Sequence, residues 1–252
     1  MRIFIGAVLL AAVAQTRPAL DALLERATRE AATYTGATSG TGVPLQSQFD
    51  HLVVAIRSLP EGIAEFERLS GIKAAVGGKH PGRGTENALV SLGGGKYLEI
   101  IAPQSGAPLS PRDEAMRGLD RLRIIHWAVG VSDVEEASKV LQGAGFAVQP
   151  PQPGSRVTPS GERLEWSTFT LADPSLAVAP FFIRWSPSTK HPSMTAPGGC
   201  TVAQLALQDP KSDRVSAALT ALGVKGVSYS TGGARIEATM TCGSKTVTLS
   251  TP

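Results

Sequence analysis

Between residues 49 and 103 the apolar and polar positions change period in a regular order. Residues 51–56 (HLVVAI) and 96–102 (KYLEIIA) are short apolar runs of strand length. Each carries one chemically capable side chain, His51 in the first and Glu99 in the second. Between them lie a helix-length amphipathic segment (residues 59–72), a Gly-rich loop and a third strand-like run, so the order reads β-α-β-β. Side chains alternate along a strand. His51, Val53 and Ala55 therefore share one face, with Leu52, Val54 and Ile56 on the other, and Tyr97, Glu99 and Ile101 share a face of the closing strand.

The same order returns downstream. Residues 124–131 (IIHWAVGV) repeat the first strand, with His126 in the place of His51. Residues 134–146 repeat the helix, and both helices stop at a Gly, the residue suited to a left-handed C-terminal cap. Residues 181–185 (FFIRW) take the place of 97–101, and Arg184 is read as the counterpart of Glu99. A fainter third copy has a strand at 201–207, a helix at 215–223 and hairpin strands at 234–241 and 246–251. Repetition of a mixed unit is the main architectural signal. It predicts an α+β fold with repeated modules over residues 49–198 and a smaller βαββ unit over 199–252 packed on the same domain.

Upstream, residues 18–34 have helical spacing, and 35–44 have the composition of a linker, so residues 15–48 read as helix plus linker. Met1 and Arg2 precede an apolar run, residues 3–14, that ends Ala-Val-Ala. That pattern fits a signal peptide over residues 1–14 and a secreted or periplasmic protein; an uncleaved start would leave it cytoplasmic. The run is too short for a stable membrane span. A net charge of +3 with scattered Lys and Arg gives no basic patch, which argues against nucleic acid as a partner. The two cysteines, Cys200 and Cys242, both lie in the third unit, at the start of one strand and the end of another. A bridge and two inert thiols are both open readings.

His51, His126 and Glu99 form a donor set suited to zinc, manganese, nickel or iron. The competing reading is a Glu99–Arg184 ion pair with no metal. His80 and Arg83 lie in a Gly/Pro loop, where binding groups are common. Arg156, Arg163 and Glu165 fall in the second module, where an arginine can bind a carboxylate or form a cross-strand pair. His191 reads as a loop residue. No nucleophile elbow, dinucleotide fingerprint or P-loop occurs.

The stretches DHLVVAI, the loop at residues 78–85 with Asn87, KYLEIIAP and PFFIRW resemble the glyoxalase-like domain family of the vicinal oxygen chelate superfamily. The resemblance implies paired βαβββ modules in a curled mixed sheet, with a divalent metal in the cup between them. It carries the metal ligands onto His51, Glu99 and His126. The fourth position falls on Arg184, which cannot coordinate a cation. The activity implied is that of a metal-dependent lyase, isomerase or dioxygenase on a small carbonyl or phenolic compound. Glu99 and Arg184 are then the expected catalytic residues, and His80, Asn87 and Arg163 the substrate contacts. The alternative is a metal-free module that binds a small ligand in the same cup, with no cofactor if Arg184 pairs with Glu99. The partner expected is a small molecule, with a homodimer left open.

Overall fold

The structure, a computed structural model, describes residues 45–252; the leader, helix and most of the linker expected upstream lie outside the described residues. Eight strands close into a barrel. The first module supplies β1 (Ser47–Ala55), β2 (Ala75–His80), β3 (Thr85–Ser91) and β4 (Tyr97–Pro103), with helix α1 (Leu59–Ser70) after β1. The second supplies β5 (Arg123–Val131), β6 (Gln152–Val157), β7 (Arg163–Thr170) and β8 (Phe181–Trp185), with α2 (Val134–Gly143) after β5. Around the barrel the order is β1-β4-β3-β2-β6-β7-β8-β5, so each module contributes one half in the same internal order.

Two joints close the barrel, and they differ. At the first, β1 and β5 run antiparallel over most of their length, pairing His51 with Ala128 and Val53 with His126. That register is symmetric: exchanging the modules maps His51 onto His126 and Val53 onto Ala128. The expected repeat is real, and both histidines project from one face. At the second joint, β2 and β6 share a single registered pair, Lys79 with Val157. Gly78 makes this seam possible. Its φ is 135°, and a Cβ there would collide with the Val157 carbonyl.

The apolar side of the barrel faces outwards. Leu52, Val54, Leu98, Ile100, Trp127, Val129 and Phe182 are buried there, beneath the helices. α1 buries Leu59, Gly62, Phe66 and Ser70, one face at helical spacing. Gly62 lies so close to the sheet that a Cβ would come within 2.7 Å of Ile56 and 2.8 Å of Ile100. The Gly71 cap is left-handed, as expected, with φ 78°. α2 starts at Asp133, whose side chain accepts the backbone N–H groups of Glu135 and Glu136. Trp127 donates its indole N–H to the Val178 carbonyl at 2.8 Å. The inner face is apolar only at one end, where Val53, Ala55, Ile101 and Met116 pack with Leu119, Ile125 and Phe181.

The C-terminal unit contains β9 (Cys200–Gln208), α3 (Ser212–Ala221), β10 (Val227–Ser230), β11 (Arg235–Cys242) and β12 (Lys245–Ser250). It has one more strand than the βαββ reading, the short β10. Nor is it a third copy. Its order is β10-β9-β11-β12, with β9 inside the sheet, whereas β1 and β5 each pair with the last strand of their own module. The sequence similarity reflects a common β-α-β alternation, which does not dictate strand order. Cys200 stands directly opposite Cys242 in the β9–β11 ladder, and the two form a disulfide. Among the described residues no helix is long and apolar enough to cross a membrane.

The disulfide closes a loop of 42 residues around the C-terminal unit. Replacing both cysteines with alanine should lower unfolding stability by about 3 kcal/mol, measurable by urea denaturation.

Candidate ligand-binding cup

The polar residues of the inner face gather around Glu99. The carboxylate accepts a hydrogen bond from Asn87 Nδ2 on β3, 2.7 Å from Oε1. His80 Nε2, at the end of β2, lies 3.5 Å from Oε1, and His51 Nε2 lies 3.9 Å from Oε2. Glu99 and His80 keep 12% and 11% of their side-chain surface exposed, so the cluster communicates with solvent. Beside it, a cavity of about 250 Å³ is lined by His80, Lys79, Pro81, Gly82, Gln104 and Pro108, among others.

Each histidine is held by its other nitrogen. His51 Nδ1 lies 2.6 Å from Asp50 Oδ1, and His80 Nδ1 lies 2.9 Å from Thr85 Oγ1. An ionised carboxylate can only accept, so a neutral His51 carries its proton on Nδ1 and presents an Nε2 lone pair to the cup. Asn87 Nδ2 is also 3.4 Å from His80 Nε2, an acceptor in the tautomer whose Nδ1–H donates to Thr85. The centre is therefore rich in acceptors: two carboxylate oxygens and two imidazole nitrogens, with one amide group supplying hydrogens.

Asp50 is placed by a bulge. Adjacent side chains of a regular strand leave on opposite faces. Between Phe49 and His51 the β1–β5 register slips by one residue, and Asp50 is the extra one. Gly130 leaves room for it, since a Cβ there would come 2.9 Å from Asp50 Oδ2. That oxygen also accepts from His191 Nε2 at 3.2 Å. His191 Nδ1 accepts the backbone N–H of Ser193, which fixes Nε2 as the donor. His191 is thus no free loop residue: it ties the segment after β8 back to β1. Its ring also meets Tyr97 and Trp185 edge-on.

The electrostatics follow from these contacts. Burial would raise the Asp50 pKa, but the hydrogen bonds and charges of His191 and His51 bring it down to about 2. Burial also opposes ionisation of Glu99, yet the facing His80 and His51, the Asn87 amide and Arg83 hold it below its ordinary value. For His80 burial wins over the attraction of Glu99, so its pKa falls and the ring is neutral at pH 7. Tyr97, stacked on the His51 ring at 4.3 Å, is pushed well above its ordinary value by burial and by the two carboxylates.

Several expected site residues stand elsewhere. Arg184 lies on the outer face of β8, exposed, with Nε donating to the Ser132 carbonyl at 2.9 Å. It neither faces nor pairs with Glu99. The reason is register. Val53 pairs with Glu99, and its symmetry mate Ala128 pairs with Phe181, so Phe181 is the counterpart of Glu99. The Phe181 ring meets His51 edge-on at 5.3 Å and His126 at 5.4 Å. His126 shares the inner face, opposite Val53 of β1, and is exposed. Arg163 is exposed and pairs with Glu165 on its own strand. Arg83 forms a bidentate pair with Asp113. His80 and Asn87 do join the cluster, His80 from a strand end and not from a loop.

The expected metal set does not fit these residues. Phe181 fills the fourth position, and His126 is exposed and stands across β1 from Glu99. His51 and His80 address different oxygens of Glu99, and the Asn87 amide hydrogens lie where a cation between Glu99 and His80 would go. Among the described residues no group of three or more His, Cys, Asp or Glu is arranged to hold a metal ion.

Known proteins give the fold a context. The sequence pattern of the family described as glyoxalase-like domain matches residues 49–223. No curated protein matches the sequence. Among solved structures, a hypothetical protein from Staphylococcus aureus aligns over 82% of this chain and 86% of its own, with 15% identity and a TM-score of 0.53. A methylmalonyl-CoA epimerase from Mycobacterium tuberculosis aligns over 56% of this chain and 87% of its own, with 18% identity and a TM-score of 0.39.

Asp50 should leave a mark on acid stability. Its pKa is about 2 in the folded chain against 3.8 for the free group. The stabilisation is therefore complete above about pH 4 and disappears as pH falls through 2. Replacing Asp50 with Asn should cost about 2 kcal/mol at pH 7 and flatten this acid limb, read from denaturation midpoints across pH 2 to 7.

Proposed function

Since the chain belongs to the glyoxalase-like domain family, we propose that its cup takes up a small hydroxyl- or carbonyl-bearing molecule directly on Glu99, His51 and His80, with no resident metal. The observation behind this reading is the acceptor-rich centre. Nε2 of His51 and Nε2 of His80 face a carboxylate whose one side-chain hydrogen-bond donor among the described residues is Asn87. Such a cluster is completed by a ligand hydroxyl, which donates to an imidazole nitrogen or to Glu99. Aromatic walls from Tyr97 and Phe181 suit the flat face of a phenolic or conjugated carbonyl compound.

The same groups can move a proton. Asp50 holds His51 with its Nε2 lone pair towards the cup, and His51 accepts a proton there from a ligand hydroxyl or from the carbon beside a carbonyl. Asp50 and Glu99 flank the resulting imidazolium and stabilise its charge. Proton transfer of this kind suits an isomerase or lyase; simple sequestration of the ligand uses the same contacts without the transfer.

One observation favours a second reading, a metal-dependent lyase, isomerase or dioxygenase. A histidine whose Nδ1 is held by a carboxylate is the usual arrangement behind a metal ligand, and His51 has it. Dialysis against zinc, manganese, nickel and ferrous iron in turn separates the two. The first reading expects no ion retained in stoichiometric amount; one retained by the intact chain and lost in His51→Ala would overturn it.

Binding of phenol and of propane-1,2-diol, followed by ligand-observed NMR, should weaken about tenfold or more in Glu99→Gln, because a neutral amide replaces the charged acceptor. Unchanged binding would remove Glu99 from the site.

A further inference from the structure

One cation of the inner face has no role in that scheme. Arg156, on β6, is buried with 3% of its surface exposed. It crosses the β2–β6 seam, where Nη1 donates to the Gly77 carbonyl. Gly77 O is the one acceptor the described residues give it, and no carboxylate among them lies within 4.0 Å. Arg83, the neighbouring arginine, is by contrast neutralised by Asp113 through two bonds of 2.8 Å. A buried charge without a bonded counter-ion is costly, and guanidinium keeps its proton at any ordinary pH.

Its position gives that charge a direction. Arg156 pairs with Leu164 in the β6–β7 ladder, and two residues further along β7 Trp166 pairs with Trp185, so Arg156, Leu164 and Trp166 share the inner face. Glu99 is the carboxylate whose charge acts on it. The cup thus holds an acceptor centre on the first module and an unpaired guanidinium on the second.

We propose that Arg156 is the anion-recognition residue of the cup, and that the ligand is a small carboxylic acid that also carries a hydroxyl or an enolisable carbonyl. The inference rests on the cup being a ligand site. The carboxylate meets the guanidinium through its free N–H groups, and the hydroxyl or acidic C–H faces Glu99 and His51. A neutral molecule of the same shape brings the guanidinium no bonded counter-ion, so discrimination between an acid and its neutral counterpart falls on this residue.

The full chain is titrated with 4-hydroxybenzoate against phenol, and with lactate against propane-1,2-diol, using ligand-observed NMR. Each acid should bind about tenfold or more tightly than its neutral counterpart. Arg156→Gln should abolish that preference, while Arg156→Lys should retain part of it. In the unsubstituted chain, the Arg156 Nε–H resonance should move with the acids and not with the neutral probes, a readout that needs no variant to fold. Equal binding of acids and neutral probes, or a preference that survives in Arg156→Gln, would overturn the inference while leaving the cup as a binding site. If no probe of either class binds, the cup reading falls, and this inference with it.

Discussion

The antiparallel pairing of β1 with β5 is the constraint on which the rest of this structure depends. It joins the two modules along a symmetric register and turns both His strands to one face. It also carries two irregularities, at Asp50 and at Ile125, and these set the chemistry of the cup. The first aims Asp50 at His51 and His191. The second sends Ile125 into the apolar plug with Val53 and Ala55. A bulge in a central ladder adds local twist and redirects side chains, and both consequences are visible here.

The barrel also divides labour between its two faces. Hydrophobic stabilisation comes from the outer face, where α1 and α2 cover residues such as Leu98, Ile100, Trp127 and Phe182. The inner face is then free to hold Asp50, His51, Asn87, Glu99 and Arg156, groups that a hydrophobic interior would exclude. Each has a partner that offsets some of its desolvation: Asp50 has two imidazoles, Glu99 has Asn87, and Arg156 has the Gly77 carbonyl. The symmetry of the backbone is not kept in the side chains. Glu99 and Phe181 occupy equivalent positions, so one half of the cup is ionic and the other aromatic.

The sequence by itself determined the elements and their repetition. Alternating runs around His51 and His126, amphipathic segments ending at Gly71 and Gly145, and a strand at 181–185 are local patterns, and hydrophobic period and turn chemistry are local quantities. The same patterns carry the family resemblance and bring His51, Glu99, His80 and Asn87 forward as candidates. They also suggested a third copy in the C-terminal unit, because alternation of strand and helix is visible in one dimension and strand order is not.

Only the tertiary structure decided which candidates meet. A shift of one residue in register exchanges the two faces of a strand. Matching Arg184 with Glu99 is three residues out of register, an odd number, so it placed an outward side chain in the cup and overlooked Phe181. Asp50 was hidden for a related reason: beside His51 in sequence, it should point away, and only the bulge turns it back. Arg156 and Arg163 look alike in sequence, seven residues apart on either side of a turn. The pairing of β6 with β2 buries the first, while the second remains at the surface with Glu165. Faces, bulges and seams belong to the pairing between strands, and no single strand contains them.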